Sequence, residues 1–106
     1  QGFGNKSWKL LLDRATYKYG SSDDMQGEMD MAGFGRTFPH EYGPATGKYF
    51  TNYLTFSPTG DDLTLDFAKA AIMGERMGQD EVTDFLAISF SSTDYVGHLF
   101  GTSSLE

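Results

Sequence analysis

Apolar residues recur at helical spacing in one segment of the chain, DDLTLDFAKAAIMGERMG at 61–78. The members of this apolar stripe are Leu63, Phe67, Ala70, Ala71 and Met77. Asp61 and Asp62 place negative charge where a helix N-terminus favours it, and Gly78 suits the end of a helix. The pattern therefore predicts a helix over 61–78 with one apolar face.

A continuous apolar run follows this segment after a short polar link. Within TDFLAISF at 83–90, residues 85–88 are all apolar. Such a run is typical of a strand that other elements cover on both faces. A helix, a short loop and a buried strand in this order predict an α/β fold with a parallel sheet.

The first 60 residues show much less regular patterning. An apolar cluster within 5–19 predicts a short helix or turn, and the acidic, glycine-punctuated segment 20–35 predicts a long loop. Its acidic residues do not alternate ahead of a glycine, so an EF-hand calcium loop is excluded. Apolar residues at i, i+3 and i+4 within 50–54 predict a short helix that ends before Pro58.

Composition narrows the possible functions of the 106 residues. The chain is 39% hydrophobic, carries a net charge of −7 and has eight Lys and Arg. This charge disfavours binding to nucleic acids or anionic membranes, and no apolar stretch is long enough to cross a bilayer. Because there are no cysteines, disulfides and thiolate chemistry are excluded. A zinc site would need Asp, Glu or a histidine, of which there are two, His40 and His98.

The stretch SFSSTDYVGHLFG at 89–101 is the main candidate site. Asp94 follows the predicted buried strand, and ligands in open α/β sheets gather at the carboxyl ends of strands. A carboxylate and the imidazole of His98 are both good zinc ligands, and Gly97 would let the backbone turn so that both face one point. Thr93 is expected to orient Asp94. The alternative is a solvated loop, since catalytic zinc usually has three protein ligands.

His40 lies in TFPHEY beside Glu41. It could act as a metal ligand or a general base. The favoured interpretation is structural, a histidine held by Pro39 and the neighbouring aromatic residues.

The two ends of the sequence indicate a piece of a longer protein. The chain begins with Gln1 rather than Met. It ends in S-x-x-E, formed by Ser103 and Glu106, which is the pattern that opens a helix. We therefore expect an internal fragment.

At this point the sequence resembles a known family. SFSSTDYVGHLFGTSSLE at 89–106 resembles a segment of the alkaline phosphatase superfamily, with the pattern S-T-D-x-x-G-H-x-x-G-P. Its nearest branch is the bacterial monomeric, phosphate-irrepressible type, which is related to the nucleotide pyrophosphatase/phosphodiesterases. SPTGDDLTLDFAKAA at 57–71 and FPH at 38–40 also fit. Thr102 stands where the family usually has proline.

The resemblance implies a fragment of an alkaline phosphatase-like parallel-sheet sandwich. In that family two zinc ions serve the reaction, and the resemblance gives Asp94 and His98 the role of ligands to one of them. The family's nucleophile and remaining ligands have no match here. We therefore expect a single partial domain, with a loop-rich, insertion-like part at 1–60 and a helix, strand and metal loop at 61–106.

The implied parent is a periplasmic or secreted zinc-dependent phosphomonoesterase that acts on small phosphate esters. The chain alone is expected to be inactive and to self-associate, because a strand without neighbours has unpaired edges. A nucleotide pyrophosphatase/phosphodiesterase of the same superfamily is the first alternative. A non-catalytic interaction module is the second.

Overall fold

The structure, a computed structural model, describes residues 2–18 and 22–106. Its regular elements in chain order are β1 (Ser7–Trp8), a 3-10 turn (Arg14–Thr16), β2 (His40–Glu41), α1 (Phe50–Thr55), α2 (Pro58–Gly74) and α3 (Ser92–Phe100). Strands β1 and β2 pair antiparallel, with Trp8 opposite His40. The described residues thus form a mixed α/β structure without a parallel sheet, and none of their helices is long and apolar enough to cross a membrane.

The two helices predicted before residue 80 are present, with one correction. The short helix over 50–54 is confirmed as α1. The bounds 61–78 were wrong for α2, which begins at Pro58, where the missing N–H of proline costs no hydrogen bond. It ends at Gly74, because the backbone turns through positive φ at Arg76 (φ 55°).

The apolar stripe predicted for α2 does not face the core. The buried residues of α2 are Thr59 and Ala68, which lie outside the stripe, whereas Phe67 in the stripe is 77% exposed. The sequence predicted a helix with one apolar face and, separately, a parallel sheet. No such layer is present among the described residues, so this face of α2 meets solvent.

The buried strand predicted over 83–90 is also wrong for this structure. The segment has no regular secondary structure, and every one of its residues is exposed. Phe85 is 90% exposed. A strand needs hydrogen-bonded neighbours, and the sheet in the described part of the chain consists of β1 and β2 alone, far from this segment in sequence.

The N-terminal half is irregular, as predicted, and side chains that bond to its backbone stabilise its loops. Segment 5–19 contains β1 and the 3-10 turn, with Tyr19 outside the described residues. Residues 22–35 have no helix or strand, and the beginning of the predicted loop, at 20–21, also lies outside the described part. One carboxylate oxygen of Asp30 accepts the backbone N–H groups of Gly33 and Gly35 at 3.0 and 2.9 Å.

One aromatic core joins this irregular half to α3. Its buried members are Phe34, Tyr42, Leu54, Leu99 and Phe100. Trp8 and Phe50 pack against it from the side, half-buried. Because Leu99 and Phe100 end α3, the core fixes the helix that carries the candidate site.

Candidate functional site

Asp94 and His98 lie on a helix rather than on a loop. Helix α3 spans Ser92–Phe100 and includes Gly97 in its interior. The predicted sharp turn at Gly97 is therefore wrong, and the chain turns at Gly101, where φ is 81°. Asp94 lies in the first turn, where the helix dipole favours negative charge, and Leu99 and Phe100 at the other end pack in the core.

The helix nevertheless brings the two predicted ligands together. His98 Nε2 lies 3.6 Å from Asp94 Oδ2, as the i, i+4 spacing on one helix face requires. The two side chains are 77% and 74% exposed. Thr93, expected to support Asp94, is exposed next to it.

An oxygen and a nitrogen at this separation can reach one metal ion. Zinc bonds to imidazole nitrogen and carboxylate oxygen are about 2.0–2.2 Å long, so tetrahedral neighbours lie about 3.4 Å apart. The observed 3.6 Å fits that arrangement with little movement. The described residues contain no group of three or more Asp, Glu, His or Cys that could hold an ion. The part of the chain described here thus supplies two donors at most.

The N-terminal end of α3 is held by the start of α2. Asp61 Oδ1 accepts the backbone N–H of Ser92 at 3.1 Å, which satisfies one of the free donors at the start of α3. Gly60 allows close packing there, since a Cβ at this position would overlap the hydroxyl of Ser92 and lie 3.0 Å from the carbonyl oxygen of Leu54. Sequence reasoning gave Asp61 only a role in its own helix.

The C-terminal end of α3 is held by the N-terminal half of the chain. The backbone N–H of Met29 donates to the carbonyl oxygen of Leu99 at 2.8 Å. The ring of Phe100 packs edge-on against Trp8, with centroids 6.2 Å apart, and against His40 at 5.1 Å. Both ends of α3 are therefore anchored, while the face with Asp94 and His98 stays open.

His40 is the most deeply buried polar side chain near this helix. Its Nε2 lies 2.8 Å from Glu106 Oε1, and the two side chains are 0% and 1% exposed. Its Nδ1 lies 3.3 Å from the carbonyl oxygen of Phe34. The structural interpretation of His40 is confirmed in the sense that it is buried among aromatic rings. The carboxylate of Glu106 is engaged by His40.

A second buried carboxylate belongs to Glu28, which is 6% exposed. Its two oxygens have no hydrogen bond at ordinary geometry. Burial, followed by the charges of Glu106 and Asp24, raises the pKa of Glu28 above its ordinary value of 4.5, and the backbone of Met25 and the charge of Arg36 offset only part of this.

Sequence reasoning missed Glu28 and Glu106. Glu28 stood in a segment that resembled a metal loop only in composition, and Glu106 in a pattern typical of a helix start. The pairing of Glu106 with His40 spans 66 residues, so no local signal marks it. The one available hint was the density of aromatic residues on both sides of His40.

The sequence of this chain is similar to segments of several curated proteins. The chain is 41% identical over 102 residues to the alkaline phosphatase PhoV of Synechococcus elongatus. It is 39% identical over 101 residues to the alkaline phosphatase PafA of Elizabethkingia meningoseptica. These alignments cover 95% and 93% of the chain. By sequence, this chain is similar to a segment of these two alkaline phosphatases.

The predicted resemblance to this family is thereby confirmed. The chain spans about 18% of the length of each of these two phosphatases. A protein named calcium-transporting ATPase from Myroides odoratus is 40% identical to the chain over 104 residues. The chain spans 19% of the length of that protein. No family model matches the chain, and no solved structure matches it.

Proposed function

We propose that this chain is part of a zinc-dependent phosphatase and supplies two ligands, Asp94 and His98, to one of two zinc ions. The observation that carries the proposal is their 3.6 Å contact on the exposed face of an anchored helix. The similarity to two alkaline phosphatases across nearly the whole chain supports the same activity.

The donor set suits zinc and divides the work between two side chains. The carboxylate of Asp94 contributes negative charge, and the neutral imidazole of His98 contributes a nitrogen lone pair. Bound zinc supplies Lewis acidity towards the oxygens of a phosphate ester. Helix α3 keeps the two donors on one face. The high exposure of these two side chains leaves room for ligands from other parts of the enzyme.

The chain alone is proposed to be inactive. Catalytic zinc usually needs three protein ligands, and the described residues hold no cluster of that size. The substrate class would be small phosphate esters, and the location periplasmic or secreted, as for the family implied by the sequence. A phosphodiesterase or nucleotide pyrophosphatase of the same superfamily remains the second candidate, because the residues around the nucleophile that would separate the two have no match in this chain.

Hydrolysis by the whole enzyme that contains this segment tests the proposal. The substrates are 4-nitrophenyl phosphate and bis(4-nitrophenyl) phosphate, assayed with zinc and after chelation, and the 106-residue chain is the control. We expect zinc-dependent hydrolysis with a strong preference for the monoester and none by the control. A preference for the diester would favour the second candidate. Hydrolysis of neither substrate by zinc-loaded enzyme would contradict both, and would favour a non-catalytic interaction module.

A further inference from the structure

The buried pair of His40 and Glu106 lies directly behind the helix that carries the candidate ligands. The His40 ring contacts Phe100, the last residue of α3, and Glu106 follows that helix by six residues. The His40 ring therefore acts on the C-terminal end of α3, two residues beyond His98, and Glu106 acts on it through His40. On the opposite face of this end, the candidate metal side is exposed.

The surroundings of His40 allow its ring one orientation. The carbonyl oxygen of Phe34 can only accept a hydrogen bond, so Nδ1 carries a proton. On the other side of the ring, Nε2 lies 2.8 Å from Glu106 Oε1. Three further rings, those of Trp8, Phe34 and Phe38, pack at centroid distances of 5.0, 4.9 and 4.8 Å. Because rings surround the imidazole, it cannot turn without breaking both polar contacts.

A helix that presents metal ligands must be fixed at both ends. The distance between Asp94 and His98 depends only on the helix being formed, but their place relative to ligands elsewhere in the enzyme depends on how α3 is seated. Asp61 fixes the N-terminal end through Ser92. Without His40 and Glu106, the C-terminal end would keep the single hydrogen bond from Met29 and the apolar contacts of Leu99 and Phe100.

We propose that His40 is a positioning residue for the zinc-facing side of α3, acting through Phe100 and Glu106. The inference rests on the proposed function, because it takes Asp94 and His98 as zinc ligands. His40 touches no reacting atom itself. It holds the last turn of α3, and therefore His98, in the position from which His98 can share a zinc ion with ligands from other parts of the enzyme.

Zinc binding to the whole enzyme tests this proposal separately from activity. The variants are His40→Gln, which loses the ring, and Glu106→Gln, which keeps the size of the side chain and loses the charge. Tyr42→Phe is the matched control, since it removes buried hydrogen bonds to Ser57 and Thr59 in the same core. Zinc stoichiometry, zinc affinity by competition with a chelating dye, and Tm are measured for each protein.

We expect His40→Gln and Glu106→Gln to weaken the binding of one of the two zinc ions by roughly 10-fold, the lower end of the range for groups hydrogen-bonded to metal ligands, because His40 acts through Phe100 and not on a ligand directly. Tyr42→Phe should lower Tm with both zinc affinities unchanged. In the double variant the two amides can bond to each other, so part of the lost affinity should return.

Two results would overturn the inference and are distinguishable from each other. Zinc affinities of His40→Gln equal to those of Tyr42→Phe, in an enzyme whose wild type binds two zinc ions, would remove the positioning role and leave the proposed function intact. Absence of zinc binding by the wild type would remove both. If His40→Gln does not fold, the same comparison with Glu106→Gln decides the matter, because that change adds no cavity.

Discussion

Single buried polar side chains organise the half of this molecule that looks least structured. His40, Glu106 and Glu28 are buried in or against a loop-rich segment with few regular elements. A buried ionisable group is expensive unless it is paired, so each of these residues restricts the conformations open to the loops around it. His40 and Glu106 form an ion pair, whereas burial outweighs the other influences on Glu28 and raises its pKa.

Replacing Glu28 with glutamine should therefore change the pH dependence of stability. Because the folded-state pKa of Glu28 is raised, the folded state binds more protons than the unfolded state between about pH 4.5 and the raised pKa, and stability falls as pH rises through that window. We expect Glu28→Gln to remove this loss, with no difference from wild type below pH 4.

Urea unfolding of both proteins between pH 3.5 and 8 measures the effect. Glu81→Gln is a suitable control, because it makes the same change at an exposed carboxylate that does not act on Glu28. Parallel pH profiles for wild type and Glu28→Gln would show that this carboxyl carries no stability cost.

The residue scale also shows where sequence reasoning stops. Asp94 and His98 were expected to face one point through a turn at Gly97, whereas their 3.6 Å approach comes from the i, i+4 spacing on α3, a property of the local chain. The partner of His40 is 66 residues away and depends on how the loops close. No local pattern contains that information.

At the scale of elements, the sequence predicted the presence of α1 and α2 correctly but not the bounds of α2. The apolar period identified α2, but its start at Pro58 and end at Gly74 depend on a proline in the first turn and on a positive φ at Arg76. Helix α3 was predicted as a loop because its glycine and serines suggested a turn. Packing of Leu99 and Phe100 in the core outweighs these weak local preferences.

Two glycines inside helices offer a matched pair of substitutions. A Cβ at Gly60 would overlap the hydroxyl of Ser92, whereas a Cβ at Gly97 would meet nothing within 4 Å. We expect Gly60→Ala to lower the free energy of unfolding by about 1–3 kcal/mol through overpacking. Gly97→Ala should raise it by about 0.5–1 kcal/mol through helix propensity.

Chemical unfolding of the two variants beside wild type gives both values. Equal effects of the two changes would contradict the close seating of α2 against α3. A destabilising Gly97→Ala would contradict the helical conformation of Gly97.

The whole molecule leaves an unusual amount of surface uncovered. Its accessible surface is 7664 Å², against about 5,900 Å² for a typical monomer of 11.7 kDa. Its radius of gyration is 16.9 Å, against about 13 Å for a compact domain of this length. The excess surface includes the apolar stripe of α2 and the segment 83–90. These apolar residues led the sequence to predict a parallel sheet. The described residues do not form one, because a parallel sheet needs further strands that they do not provide.

Such a surface predicts self-association of the 106-residue chain. Phe85 is almost fully exposed in a segment rich in apolar residues, and large exposed apolar patches drive association. We expect sedimentation equilibrium to show a concentration-dependent rise in mass that Phe85→Ser reduces. Leu11→Ser, at an equally exposed position outside this segment, should leave the association unchanged. A monomer at every concentration would contradict the expectation.

The most direct test replaces His98 with alanine in the proposed parent enzyme. Zinc per chain and the turnover of 4-nitrophenyl phosphate are measured together, with Lys69→Ala as an exposed control on α2. We predict the loss of one zinc ion and a fall in turnover of several orders of magnitude, while the control matches wild type. Full zinc content with near-normal turnover in His98→Ala would contradict the role given to Asp94 and His98.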